Sequence, residues 1–117
     1  LWLVEMAPIR LTSNSWIAAY RRHLEIESIP FYILKKGNNS SGSILVKVLM
    51  AEDFAKVYHN IVDVNGISKW DILFEGSQAE VDHKLERQVY FDNDLWLLEV
   101  EEKSGIGLLD RDSLKRG

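Results

Sequence analysis

The chain has 117 residues, 46% of them apolar and 27% charged, with a formal net charge of −4; this is the make-up of one globular domain with a single core and excludes global disorder. Without a cysteine there is no disulfide framework, no thiolate nucleophile and no cysteine-based zinc or iron–sulfur centre, and a reducing, cytoplasmic setting is expected. The acidic balance argues against general nucleic-acid binding, and no apolar run nears the ~20 residues that span a bilayer.

The opening "LWLVEMAPIR" is too short for a secretion signal and is interrupted by Glu5. Met6 is a candidate natural start, with residues 1–5 an upstream or vector-derived extension. Residues 1–8 are therefore read as an N-terminal extension, 9–110 as a single domain and 111–117 as a frayed tail. The first helix lies in "LTSNSWIAAYRRHLEIESIP", capped by Ser13 or Asn14. Trp16, Ile17, Tyr20 and Leu24 share one face at helical spacing, while Arg21, Arg22 and Glu25 project opposite. Pro30 stops it, because the residue before a proline avoids helical geometry.

"FYILKK" (31–36) and "SILVKVLM" (43–50) read as strands, and "GNNSSG" (37–42) between them as the flexible tip of a hairpin. "FAKVYHNIVD" (54–63) is the third strand. An Asn-Gly pair at 65–66 marks a tight turn into the fourth strand, "SKWDILF" (68–74), with Trp70, Ile72 and Phe74 on one face. A capping box, Ser77 to Glu80, opens the second helix, whose buried stripe is Val81, Leu85 and Val89. "LWLLEVE" (95–101) is the fifth strand. The expected fold is α+β: a single domain with a five-stranded, mainly antiparallel sheet and two helices, in the order α-β-β-β-β-α-β. Strands apolar at successive positions have both faces covered, so one helix on each face is the simplest arrangement. Two helices on one face, with the other buried in a dimer, is the alternative.

Charge is unevenly distributed. Residues 1–50 hold six Lys/Arg against three Glu, and residues 51–117 hold eight Lys/Arg against fifteen Asp/Glu. Such a split can steer a partner or drive self-association; it also arises when two halves face each other inside one fold.

Several segments together resemble a family of small bacterial proteins, domain-of-unknown-function family 1491. They are "RLTSNSWIAAYRRHL" (10–24), Gly42, "LVKV" (45–48), Trp70, "EVD" (80–82) and "RQVYFDNDLWLLEVE" (87–101). The resemblance spans roughly residues 9–110. It implies a shared fold and assigns no activity. Asn93 stands where the family usually has proline, which a turn accepts. Ile106 replaces an arginine of the family pattern, while Lys103 keeps one charge.

The candidate binding residues are Arg21, Arg22, Lys47, Arg87, Asp92, Asp94 and Glu99; no residue qualifies as catalytic. Asp92 and Asp94 in "FDNDLW" could offer oxygens to a hard cation, but the remaining ligands of a calcium loop are missing. As turn formers they would instead bond nearby backbone amides, with Arg87 a possible ion-pair partner for Asp94. Lys47 and Glu99 each interrupt an apolar strand, so each must be paired or line a polar cleft. On neighbouring strands they would form a cross-strand ion pair; a lysine of lowered pKa there would serve as a general base. Arg21 and Arg22 could hold a phosphate or an acidic partner surface, or be a solvated helix face. His23, His59 and His83 lack ligand spacing, and no phosphate loop, nucleophile elbow or dinucleotide fingerprint is present. No metal or cofactor is expected.

The leading expectation is a non-catalytic module that binds a protein partner or itself, without membrane contact. The second is an enzyme or small-ligand binder using Lys47, Arg87, Asp92, Asp94 and Glu99 in one cleft. The weakest is nucleic-acid contact through Arg10, Arg21, Arg22, Lys35 and Lys36, which requires one continuous basic patch.

Overall fold

The computed structural model of the chain describes residues 11–116, so the proposed extension at 1–8 lies outside the described residues. The first helix, α1 (Ser13–Ile26), is capped by Thr12, whose hydroxyl accepts from the Ser15 amide at 3.2 Å. Neither Ser13 nor Asn14 caps it. Ser13 is buried and donates its hydroxyl to the Gly42 carbonyl. The amides of Ser13 and Asn14 donate to the carbonyls of Ser40 and Asn39 at 3.2 and 2.9 Å. Two of the four orphan N–H groups of the helix start are thus satisfied by the 37–42 loop.

The helix ends on a Schellman turn: Ile29 N–H donates to Leu24 and Ser28 N–H to Glu25, with Ser28 at φ 58°. A side chain in this left-handed region is strained. Ser28→Gly is therefore expected to raise stability by about 0.5–1 kcal/mol, read as a higher urea midpoint at unchanged m-value.

The strands are β1 (Phe31–Lys35), β2 (Ile44–Leu49), β3 (Phe54–Val62), β4 (Ser68–Ser77) and β5 (Trp96–Glu101), with the second helix α2 (Gln78–Phe91) before β5. Spatial order is β1-β5-β2-β3-β4. All pairings are antiparallel except β2 with β5, so the sheet is mixed.

The expected hairpin of β1 and β2 does not form, because β5 lies between them. The reason is burial. β2 and β5 carry the most continuous apolar runs, "ILV" and "WLL", and both are buried on their two faces except near their ends. Such strands belong in the middle of a sheet. The 37–42 loop therefore arches over the start of β5 and is anchored there. Trp96 donates its backbone amide to Ser43 and its indole N–H to Asn38 O at 2.8 and 2.7 Å, and Asn38 N–H donates to Asp94 O at 2.9 Å.

α1 packs on one face of the sheet through Trp16, Tyr20 and Leu24 against Val46, Val48, Leu98 and Val100. α2 packs on the other through Val81 and Leu85 against Leu45, Val57 and Leu97. One helix thus covers each face, as the doubly apolar strands imply. In β4 a bulge sets Val57 opposite Phe74 and Tyr58 opposite Ile72. The extra residue, Leu73, switches the strand's facing. Trp70 joins the α1 side, its ring tilted against Trp16 at a centroid distance of 4.8 Å, whereas Leu73 and Phe74 join the α2 side. The single face expected for Trp70, Ile72 and Phe74 is therefore broken.

The tail docks as far as residue 116 rather than fraying. Leu114 is fully buried in the α1-side cluster, at the end of a 3-10 turn (Asp112–Leu114). Its carbonyl accepts from the indoles of Trp16 and Trp70 at 2.8 and 3.2 Å. Arg111 adds an ion pair to Glu27 at 2.9 Å. An apolar anchor with a doubly bonded carbonyl outweighs the entropy of a short tail.

Candidate functional site

Successive residues of a strand point to opposite faces, so Lys47 in mid-β2 lies on the α2 side between Leu45 and Leu49. Its register partner on the adjacent parallel strand is Glu99. The ammonium reaches Glu99 Oε1 at 2.9 Å and Asp82 Oδ1 of α2 at 2.7 Å, with only 2% of the lysine exposed. One buried cation is thereby shared by two carboxylates and ties a helix to the two central strands.

Burial alone would lower the Lys47 pKa, but hydrogen bonds and attraction from Asp82 and Glu99 outweigh it and raise the pKa above the ordinary lysine value. A lysine held charged in this way is no general base at neutral pH. The sequence-based alternative of a lowered pKa is overturned by the second carboxylate.

Burial also raises the phenol pKa values of Tyr20 and Tyr58, helped by Glu102 in both cases and by Glu75 at Tyr58. All three shifts have the same sign. A raised folded-state pKa stabilises below the unfolded value and is lost above it. Stability is therefore expected to be flat through neutrality and to fall above about pH 10, measured by urea denaturation at stepped pH.

From Lys47 towards β1 the sheet becomes more open. α2 lies over β3 and β4, and between it and β1 a groove of about 650 Å³ runs over β5. Leu34, Leu85, Val89 and Leu97 give it apolar walls, and Asp82, Glu86 and Glu99 give it carboxylates. Tyr32, opposite Glu99 in register, is 47% exposed, and Leu34 is 49% exposed.

The other candidates do not converge here. Asp92 closes its own turn, accepting from the Asp94 amide at 3.0 Å. The Asp94 side chain is exposed, while its carbonyl is pressed between Gly37 and Gly42. Arg87 is exposed beside Phe74, Lys84 and Phe91, and forms no ion pair with Asp94. The helical turn between Asp82 and Arg87 points them in different directions. Only Lys47 and Glu99 of the five meet.

The basic residues are also divided. Arg21 pairs with Glu25 at 3.1 Å and lines a second cleft of about 490 Å³ with Arg22 and Lys36 on the α1 side. Lys35 turns away, its ammonium held by the carbonyls of Asn93 and Leu95 at 2.6 and 3.1 Å. Arg10 lies outside the described residues. No continuous basic patch unites the described members.

Asp82 is the site residue that sequence reasoning missed. Its signal was present: Gln78, Asp82 and Glu86 recur at four-residue spacing beside the stripe Val81, Leu85, Val89, a polar margin along the buried face. Among the described residues no group of three or more His, Asp or Glu is placed to hold a metal, and no helix is long and apolar enough to cross a membrane.

Solved structures share this architecture. A crystal structure of a DUF1491 family protein from Caulobacter crescentus CB15 is 26% identical, with a TM-score of 0.78, covering 86% of this chain and 96% of that one. An NMR structure of a DUF1491 family protein from the same organism gives 24% identity and a TM-score of 0.75 over 88% and 96%. The solution structure of a protein from A. tumefaciens gives 24% and 0.73 over 86% and 93%. No curated protein matches. The family profile described as "Protein of unknown function (DUF1491)" matches residues 11–110, which is nearly all of the folded region, and the chain belongs to the DUF1491 family.

Proposed function

We propose that the protein is a non-catalytic binding module whose partner is another protein, engaged through the β1–β5 end of the sheet on the α2 side. The observation that carries this reading is the half-covered face. β1 is an edge strand with no strand neighbour on its outer side among the described residues, and it exposes Tyr32, Ile33 and Leu34 in a row. Long apolar edges are normally blunted or covered because they invite association. The cysteine-free composition fits a role in the cytoplasm.

The test is a photo-crosslinking residue placed at Leu34 and, as a control, at Asn65 in the β3–β4 turn, in cells that contain the natural partners. A defined protein adduct from position 34 and none from 65 is the expected result. Equal labelling at both positions, or none at 34, would remove the reading.

A second reading, a small-ligand site at the base of the groove, draws on the shared ammonium of Lys47. It is the weaker one, because that charge is already matched within the protein.

A further inference from the structure

We infer that the groove over β5 is the seat of an amphipathic helix from the partner, with apolar residues on its inner face and lysine or arginine on its flank. The inference rests on the protein-binding reading above and names the chemistry of the occupant.

The first support is shape. α2 packs over Leu45, Val57 and Leu97, and beyond it the face stays open towards β1 as a groove of about 650 Å³. A trough between a helix and an edge strand is the kind of groove that accepts one amphipathic helix. α2 itself forms one wall through Leu85, Glu86 and Val89, β1 forms the other through Leu34, and Leu97 and Glu99 form the floor. The irregular register between Ile33 and Lys35 brings both Leu34 and Lys35 to this groove.

The second support is charge. The lining carries carboxylates at Asp82, Glu86 and Glu99 against lysines at 35 and 47. Lys47 is consumed by Asp82 and Glu99, and Lys35 is turned onto backbone carbonyls. Glu86 is exposed and forms no ion pair among the described residues. An incoming cationic side chain meets the unmatched Glu86; an anionic one is repelled.

A second copy of the chain is a poor occupant. Its α1 has a basic outer face of Arg21 and Arg22, but the apolar stripe of that helix is already buried against its own sheet. Two copies joined edge to edge at β1 would place two acidic grooves side by side. Helix-in-groove recognition by a separate chain satisfies both the apolar walls and the charge.

The experiment selects binders from a random 16-residue peptide display library on the immobilised full chain. Enriched peptides should space apolar residues at i, i+3/i+4 and i+7, carry Lys or Arg, and gain helical circular dichroism on binding. Their affinity should fall at least tenfold with Glu86→Lys and with Leu34→Lys, both at exposed positions, and be unchanged by Arg21→Ala. A Lys→Glu peptide should recover binding to Glu86→Lys. Alternating apolar spacing without helicity, indifference to Glu86→Lys, or no enrichment would overturn the inference. Crosslinking from Leu34 to a folded protein surface would, in any of those cases, leave the protein-binding reading standing; absence of both removes the two together.

Discussion

Gly42→Ala is expected to cost about 3–5 kcal/mol, a large part of the stability of an ordinary domain. A Cβ at position 42 would lie 2.3 Å from the Asp94 carbonyl oxygen and 2.9 Å from both the amide nitrogen and the carbonyl oxygen of Asn38. All three are backbone atoms, so no side chain can rotate aside. Relief requires the 37–42 loop to lift from the turn before β5. That would break the Asn38 amide bond to Asp94 and the Trp96 indole bond to Asn38, each worth about 1 kcal/mol. It would also disturb the start of α1, whose amides that loop satisfies. Overpacking alone accounts for roughly 1–3 kcal/mol. Gly37→Ala should behave similarly, since its Cβ would lie 2.1 Å from the same oxygen. Gly66→Ala is the control. Its φ of 78° carries strain, but nothing lies within 4 Å, and the loss should be about 1 kcal/mol. Urea denaturation of the three variants checks the ranking; a Gly42 variant within 1 kcal/mol of the parent would refute the account of the loop.

Lys47→Ala is expected to destabilise by about 3 kcal/mol, at the lower end of the range for removing one partner of a buried ion pair. The two orphaned carboxylates are not equal. Asp82 is 47% exposed and can turn to water, whereas Glu99 is 17% exposed and keeps an unmatched charge in the wall. The methylene stem of the lysine is lost as well. At this chain length the change corresponds to a fall in Tm of roughly 10 °C.

Lys47→Met separates the two contributions by restoring the stem without the charge. The triple variant Lys47→Met, Asp82→Leu, Glu99→Leu should return to within about 1 kcal/mol of the parent, since apolar replacement of a whole buried ion cluster is commonly neutral or better. A triple variant as unstable as Lys47→Ala would show that the cluster does more than balance its own desolvation. The readout is the urea midpoint at pH 7.

The readable parts of the fold were those set by local periodicity. The stripe Trp16, Ile17, Tyr20, Leu24 is the buried face of α1, and the Ser77 hydroxyl accepts from the Glu80 amide at 3.2 Å as a capping box should. The pairing of Lys47 with Glu99 was readable as a condition, because two charges in mid-strand need each other only if the strands touch. Chain order does not reveal whether they touch. A six-residue polar loop between two strands favours a hairpin on length alone, and only the burial of β2 and β5 on both faces pulls β5 into the gap. The bulge at Leu73 was equally hidden, since one extra residue in a strand leaves the apolar pattern almost unchanged while reversing its facing. The four-residue spacing of Gln78, Asp82 and Glu86 marked a polar margin of α2, but that Asp82 meets Lys47 is a tertiary relation, which that spacing alone does not show. The tail was read as frayed from its terminal position, whereas Leu114, its large apolar residue, is buried against α1.

The central position of the last strand has a consequence for how the chain is made. A ribosome delivers β1 and β2 long before β5, so during most of synthesis the slot between them stands vacant and both flanking rows of amides and carbonyls are unsatisfied. Closing the sheet requires contacts between residues some fifty to seventy positions apart, the kind of long-range pairing that folds slowly. The nascent chain thus passes through a stage in which two sticky strand borders face solvent together. Completion of the sheet is deferred until Glu101 has cleared the exit tunnel.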